Sequence, residues 1–356
     1  MSINVSYKKQ SALGIILLLI FVAALEGISR GYEYFSICDT MEHEAYEDMN
    51  YFELKQICWE YRTIKYSSAP ITKPIPEQYS NSMNINSQGF RGEEISIIKP
   101  NNTYRIFMVG GSTTFGTGTT SDDTTIPGYL QSFFKEKSMN VEVVNAGIPG
   151  AWSFEESYYV VNEITNYAPD LIIVYDGWND AKKGILEPKL KEESNSIGFK
   201  NFKNFRTPFV IYDLFFNPEN PPPELKDEQM VLKLIENWKN RWSQICELGN
   251  EKNFSVMVVV QPSIGTGKPL IGSEMRFSEI PEWHKQTAST MEKMAESLDD
   301  LKTNCMNTVD FTGILDDVNE PIFLDEVHVV DRGNEIIAKE LFEEIMILYE
   351  KNNESN

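Results

Sequence analysis

Between residues 103 and 350, short apolar runs alternate with amphipathic stretches, and no other feature of the chain restricts its fold so tightly. Arg105 to Val109, Val141 to Val144, Leu171 to Tyr175, Val256 to Val260 and Thr308 to Phe311 are short, apolar and mostly β-branched. That composition marks strands buried on both faces. Between them Pro127 to Lys137, Phe154 to Tyr167, Glu228 to Leu248 and Glu282 to Leu301 read as helices. Asp331 to Tyr349 follows as a last one, with Ile336, Ile337, Leu341, Ile345 and Met346 on one face. Such alternation predicts about five parallel strands covered on both sides, a three-layer α/β domain with its functional groups at the carboxyl ends of the strands.

The first hundred residues are different. Ser11 to Leu25 is apolar after its first residue, and Lys8 and Lys9 precede it. A helix over 11–29 spans roughly 28 Å, the hydrocarbon thickness of a bilayer. The lysines on the near side and the acidic residues beyond Gly31 predict a cytoplasmic tail at 1–10 and an extracytoplasmic main domain on a single-pass anchor. The competing reading is a secretory signal, since Val22-Ala23-Ala24 resembles a cleavage site; residues 1–24 would then be lost and the protein secreted. Residues 30–102 read as a juxtamembrane region, with one helix over Tyr46 to Tyr66. The domain proper is expected over 103–350, followed by a tail at 351–356. Within it, residues 185–230 carry six phenylalanines and the triple proline Pro221 to Pro223. That stretch is too long for an ordinary connection and reads as a packed excursion or a lid.

A formal charge of -21 excludes nucleic acid as a partner. Four cysteines in an exported chain allow three pairings, of which Cys38–Cys58 with Cys246–Cys305 is preferred. With three histidines and no CxxC pair, no metal site is expected, and nothing in the sequence calls for a cofactor.

Four short segments carry the chemistry. Val109-Gly110-Gly111-Ser112 ends the first strand; it lacks the lysine of a phosphate-binding loop and the GxSxG of a nucleophile elbow, and alone it is only a turn. Asn145 to Gly150 follows the second strand, and Gly150 offers a bare backbone N–H. Asp176-Gly177-Trp178-Asn179-Asp180 follows the third and adds a side-chain amide. Asp325 and His328, three residues apart, are close enough for the carboxylate to fix the imidazole tautomer and leave the other nitrogen to take a serine proton. His43 and His284 lack such a partner.

In this order the four segments resemble the blocks of the SGNH/GDSL hydrolase family, although its common GDS triplet stands here as Gly-Gly-Ser. The likeness covers roughly residues 103–349. It implies a flavodoxin-like fold, Ser112 as nucleophile, Asp325 and His328 completing the triad, and an oxyanion hole from Ser112, Gly150 and Asn179. Asn86 to Gly92 also resembles a segment that precedes the catalytic domain in some extracytoplasmic members, with no role that follows from physics.

The resemblance implies a serine ester hydrolase acting through an acyl-enzyme on an acetylated glycan or a lipid ester. An O-acyltransferase that modifies surface glycans and a non-catalytic glycan-binding envelope protein are the alternatives. Trp152 and Trp178 follow two oxyanion residues closely and are candidate substrate contacts.

Overall fold

The computed structural model describes residues 6–36, 43–67, 69–183, 206–207, 210–211 and 225–354. The chain divides into two compact units, Met1–Thr40 with Ser194–Pro222, and Met41–Glu193 with Pro223–Asn356.

In the first unit, helix α1 (Tyr7–Ser36) runs beyond both ends of the expected apolar segment. Its stretch Tyr7–Tyr32 is long and apolar enough to cross a membrane, with a mean hydropathy of 2.5 over its 18-residue apolar window. The Glu26 carboxylate accepts hydrogen bonds from the Arg206 and Thr207 backbone N–H groups and from Thr207 Oγ1, at 2.8 to 3.1 Å. Part of the 185–230 excursion thus lies against α1. Its phenylalanines Phe199, Phe202, Phe205, Phe209, Phe215 and Phe216 and its triple proline lie outside the described residues.

The second unit opens with α2 (Tyr51–Thr63), whose first turn is capped by Asn50 Oδ1 accepting from Phe52 N. That cap explains why the helix expected over Tyr46 to Tyr66 begins later, after a separate 3-10 turn at Glu44–Tyr46. A small antiparallel pair follows, β1 (Gln78–Tyr79) with β2 (Asn84–Ile85).

The five apolar runs then form the predicted parallel sheet: β3 (Tyr104–Gly110), β4 (Val141–Gly147), β5 (Leu171–Asp176), β6 (Ser255–Val260) and β7 (Asn307–Asp310). Their spatial order is β4-β3-β5-β6-β7. The order reverses at β3, so the crevice for a ligand is expected beyond the carboxyl ends of β3, β4 and β5. Helices join the strands: α3 (Ser112–Phe115), α4 (Ile126–Glu136), α5 (Ser153–Asn162), α6 (Trp178–Lys183), α7 (Glu228–Lys252), α8 (Glu282–Glu296) and α9 (Asp331–Glu354).

Strand side chains alternate between faces, and the core follows that period. Phe107, Val109, Ile172, Val174, Val256, Val258 and Val260 share one buried cluster with Val160 of α5, Trp238 and Trp242 of α7, and Met291 and Met294 of α8. The intervening Ile106, Met108, Ile173, Met257 and Val259 are buried as well, which makes the apolar runs continuous rather than alternating. Both helical layers of the three-layer prediction are therefore present, with α4 and α9 packed together. Turn chemistry sets several boundaries. Thr125 caps α4 through Gly128 N, Asp227 caps α7 through Met230 N, and Asn253 ends α7 in the left-handed region at φ 62°.

Cys246 and Cys305 form a disulfide joining α7 to the segment before β7. Cys58 is disulfide-bonded too; Cys38 lies outside the described residues.

Candidate active site

Beyond Gly110 the chain must turn at once into the four-residue helix α3, and there is no room for side chains while it does so. A Cβ on Gly110 would overlap Thr114 Oγ1 and the Tyr175 carbonyl, and one on Gly111 would lie 2.7 Å from Asn179 Nδ2. Two glycines therefore let the serine-bearing turn close against the end of β5. Ser112 Oγ lies 2.7 Å from His328 Nε2, and His328 Nδ1 lies 2.7 Å from Asp325 Oδ2. The other carboxylate oxygen, Asp325 Oδ1, accepts from the backbone N–H groups of Val327 (3.0 Å) and His328 (2.8 Å). Burial pushes this carboxyl up, but the His328 ring and these N–H donors outweigh it and hold its pKa at about 2. Asp325 therefore stays anionic beside the imidazole.

The Asp–His segment is gripped from the side. Glu274, fully buried, accepts from Ile322 N (2.7 Å) and Phe323 N (2.8 Å) through one oxygen, and from Lys268 Nζ (2.7 Å) and Ile271 N (3.1 Å) through the other. Arg276 donates to the Leu324 carbonyl. These groups hold the backbone on which Asp325 and His328 stand.

Opposite His328, the groups expected to form an anion-binding hole come together after β3, β4 and β5. Gly150 sits at φ 76°, in the left-handed region, with open space where a side chain would be. Neither the Gly150 nor the Ser112 backbone N–H donates to a partner among the described residues. Asn179 Nδ2 donates one hydrogen to Ala151 O at 2.6 Å, leaving its second available. Trp152 and Trp178, 7% and 5% exposed, carry cations over their faces: Arg241 at 5.0 Å from one ring and Lys182 at 5.8 Å from the other. Little ring surface is left for a ligand.

Behind the hole lies a buried acidic cluster without an obvious sequence signal. Asp180 accepts from Ser153 N (2.8 Å) and Ser153 Oγ (2.5 Å), tying the start of α6 to the start of α5. Arg241 Nη1 donates to the same Ser153 Oγ at 2.9 Å. Burial, and then the charge of Asp180, push the Asp176 carboxyl well above its ordinary range. Glu156, 1% exposed, is raised likewise by burial and by Asp176 and Asp180, and neither of its oxygens has a hydrogen-bond partner among the described residues. His284 is a core residue: buried, with Nε2 2.8 Å from the Ile264 carbonyl.

The segment before the sheet also reaches the site. Arg91, in the run Asn86 to Gly92, is 4% exposed and binds the loop just after Ser112 through its whole guanidinium. Tyr46 Oη donates to the Gly118 carbonyl (2.8 Å), and Tyr61 Oη and Thr117 Oγ1 share a hydrogen bond of 2.7 Å.

The family model for GDSL-like lipases and acylhydrolases matches residues 106–341, well over half of the chain. The chain belongs to that family. It is accordingly a hydrolase of ester bonds. No curated protein matches the sequence. Among solved structures, an acetyl xylan esterase is 15% identical over 68% of this chain and 99% of its own, with a TM-score of 0.40. An acetylxylan esterase from Geobacillus stearothermophilus is 15% identical over 68% of this chain and 94% of its own, at 0.39. A gut microbial diltiazem-metabolizing enzyme is 13% identical over 69% of this chain and 47% of its own, at 0.45. The GDSL assignment rests on the family match and on the sheet described above.

Proposed function

We propose that this GDSL hydrolase is an extracytoplasmic serine esterase, with Ser112 as nucleophile, His328 as general base and Asp325 as the group that orients it. One observation carries the reading: the Asp325–His328–Ser112 chain of hydrogen bonds, 2.7 Å at each step, ends beside two unbonded backbone N–H groups. A retired, glycan-binding domain would have no need of that alignment.

The chemistry follows from the contacts. His328 Nε2 takes the Ser112 proton as Oγ attacks the ester carbonyl, and the tetrahedral oxyanion receives the Ser112 and Gly150 N–H groups and the free Asn179 hydrogen. His328⁺ then gives its proton to the departing alkoxide oxygen, leaving acyl-Ser112 and an alcohol. Water, deprotonated by His328, attacks the acyl carbon; the acid leaves and Ser112 Oγ regains its proton. Asp325 remains ionised throughout and stabilises the imidazolium.

The Tyr7–Tyr32 segment supports a single-pass anchor with the catalytic domain outside, because the lysines lie on the N-terminal side. An enzyme so tethered meets envelope components first, and O-acetylated surface glycans are the substrate class we favour. The purified protein should release free acetate from acetylated oligosaccharides and p-nitrophenol from p-nitrophenyl acetate. Ser112→Ala should lower both rates by about 10⁴-fold or more. Wild-type rates in the Ser112→Ala protein would overturn the assignment. Acetate appearing on an added sugar instead of in solution would replace water by a hydroxyl acceptor.

A further inference from the structure

The nucleophile stands on a helix of only four residues, too short to hold its own position. What fixes it lies elsewhere in the chain. The Ser112 carbonyl accepts from Gly116 N and Thr117 N, both at 2.9 Å, so the serine moves with residues 115–117. Those residues are held in turn by Arg91. Its Nη1 donates to the carbonyls of Phe115 (2.9 Å) and Gly116 (2.8 Å), its Nη2 to Thr119 Oγ1 (3.0 Å) and the Ser121 carbonyl (3.2 Å), and its Nε to Asp122 Oδ1 (2.8 Å). The Phe115 ring lies beneath the guanidinium, 5.2 Å from its carbon. Asn145 Nδ2 shares the Phe115 carbonyl at 3.2 Å. At the far side of the same loop, Thr120 N and Oγ1 donate to Asp331, three residues beyond His328.

We propose that Arg91 is a positioning residue for the nucleophile: its guanidinium shapes the 115–122 loop, and that loop aims Ser112 Oγ at His328 Nε2. The inference rests on the reading of Ser112 as nucleophile. Only a planar fork with donors on three nitrogens can serve five acceptors on one loop; a lysine ammonium at the same depth reaches one or two. Arg91 contacts neither the reacting atoms nor the Asp325–His328 segment, so it acts through geometry alone. A displacement of Ser112 by about 1 Å costs on the order of 10²-fold in rate.

The test is steady-state hydrolysis of p-nitrophenyl acetate by the full-length protein, with melting followed in parallel. Arg91→Lys should keep KM within threefold of wild type and lower kcat by about 10²-fold. Arg91→Met/Asp122→Asn removes both halves of the buried pair, which is less disruptive to folding than removing one, and should show the same loss of kcat. In Arg91→Ala, added guanidinium ion should restore part of kcat, a rescue that a residue needed only for stability would not give. A folded Arg91→Lys or Arg91→Met/Asp122→Asn protein with kcat within threefold of wild type would overturn the proposal. So would failure of both to fold, since Arg91 would then serve folding rather than aim. Ser112→Ala, run alongside, separates the two claims: if it is as active as wild type, the nucleophile assignment has failed; if it is inactive while Arg91→Lys is fully active, only the role of Arg91 has.

Discussion

The two ends of the central sheet each bury an arginine, and each uses it differently. At the amino end Arg105, 0% exposed, opens β3 with an ion pair to Glu142 and a bond to the Tyr167 carbonyl at 2.8 Å. Beside it Asp170 receives Arg105 N (2.7 Å) and Lys99 Nζ (2.6 Å). Every partner there belongs to a strand or to the connection beside one, and the bonds pin the start of the sheet. At the carboxyl end Arg91 comes from a segment outside the sheet and grips a loop, beside glycines that accept no side chain and N–H groups left without partners. At one end the bonds join strands and their connections, with Arg105 Nη2 left without a partner among the described residues; at the other, backbone donors at the chain's turn stand open for a ligand. Stability and chemistry are thereby separated along β3.

That contrast can be broken by measurement, the largest effect first. Asn179→Ala, at the carboxyl end, should lower kcat by about 10²–10³-fold with little change in melting temperature. An unchanged kcat would remove the amide from the oxyanion hole. Arg105→Met, at the amino end, should do the reverse: it strands Glu142 and costs about 3 kcal/mol in a denaturant titration, with kcat kept within threefold. A large loss of kcat in folded Arg105→Met would mean that the ends are not separate.

The buried acid cluster gives a smaller and pH-dependent effect. Glu156 has its carboxyl raised in the folded state, so the stability it contributes is fully present below the pKa of the unfolded chain. It is lost as pH rises from that value toward the folded one. Glu156→Gln should therefore melt with wild type at about pH 4, close to the unfolded carboxyl value, and above it at neutral pH, the margin growing as pH rises toward the folded value. Equal melting of the two proteins at neutral pH would contradict the raised carboxyl.

The fold was legible because continuous apolar runs have few ways to be buried. The strands begin and end within a few residues of their expected limits, β4 running three residues further to Gly147. The site was legible where chemistry demands particular residue types near one another in sequence, as in the Asp325–His328 pair. Ser112, Gly150 and Asn179 lie far apart along the chain. They were found through family resemblance, and the sheet order shows why they meet. Arg91 lies in the resembling run Asn86 to Gly92, but nothing in that run gave it a role. Its acceptors are mostly backbone carbonyls 24 to 30 residues away, and carbonyls carry no residue identity. For the same reason residues 30–102 read only as a juxtamembrane region, although Tyr46, Tyr61 and Arg91 from that stretch all hold the loop after Ser112. Asp331 reads in sequence as a helix start; its carboxylate receives Thr120 N and Oγ1 from that loop.

The central claim is that Ser112 is a nucleophile activated by His328. A fluorophosphonate probe tests it most directly, with intact-mass measurement and peptide mapping of the product. One probe per chain is expected, attached at Ser112, with labelling abolished in Ser112→Ala and slowed by orders of magnitude in His328→Ala. An unlabelled wild type, or equal labelling of the Ser112→Ala protein, would contradict it.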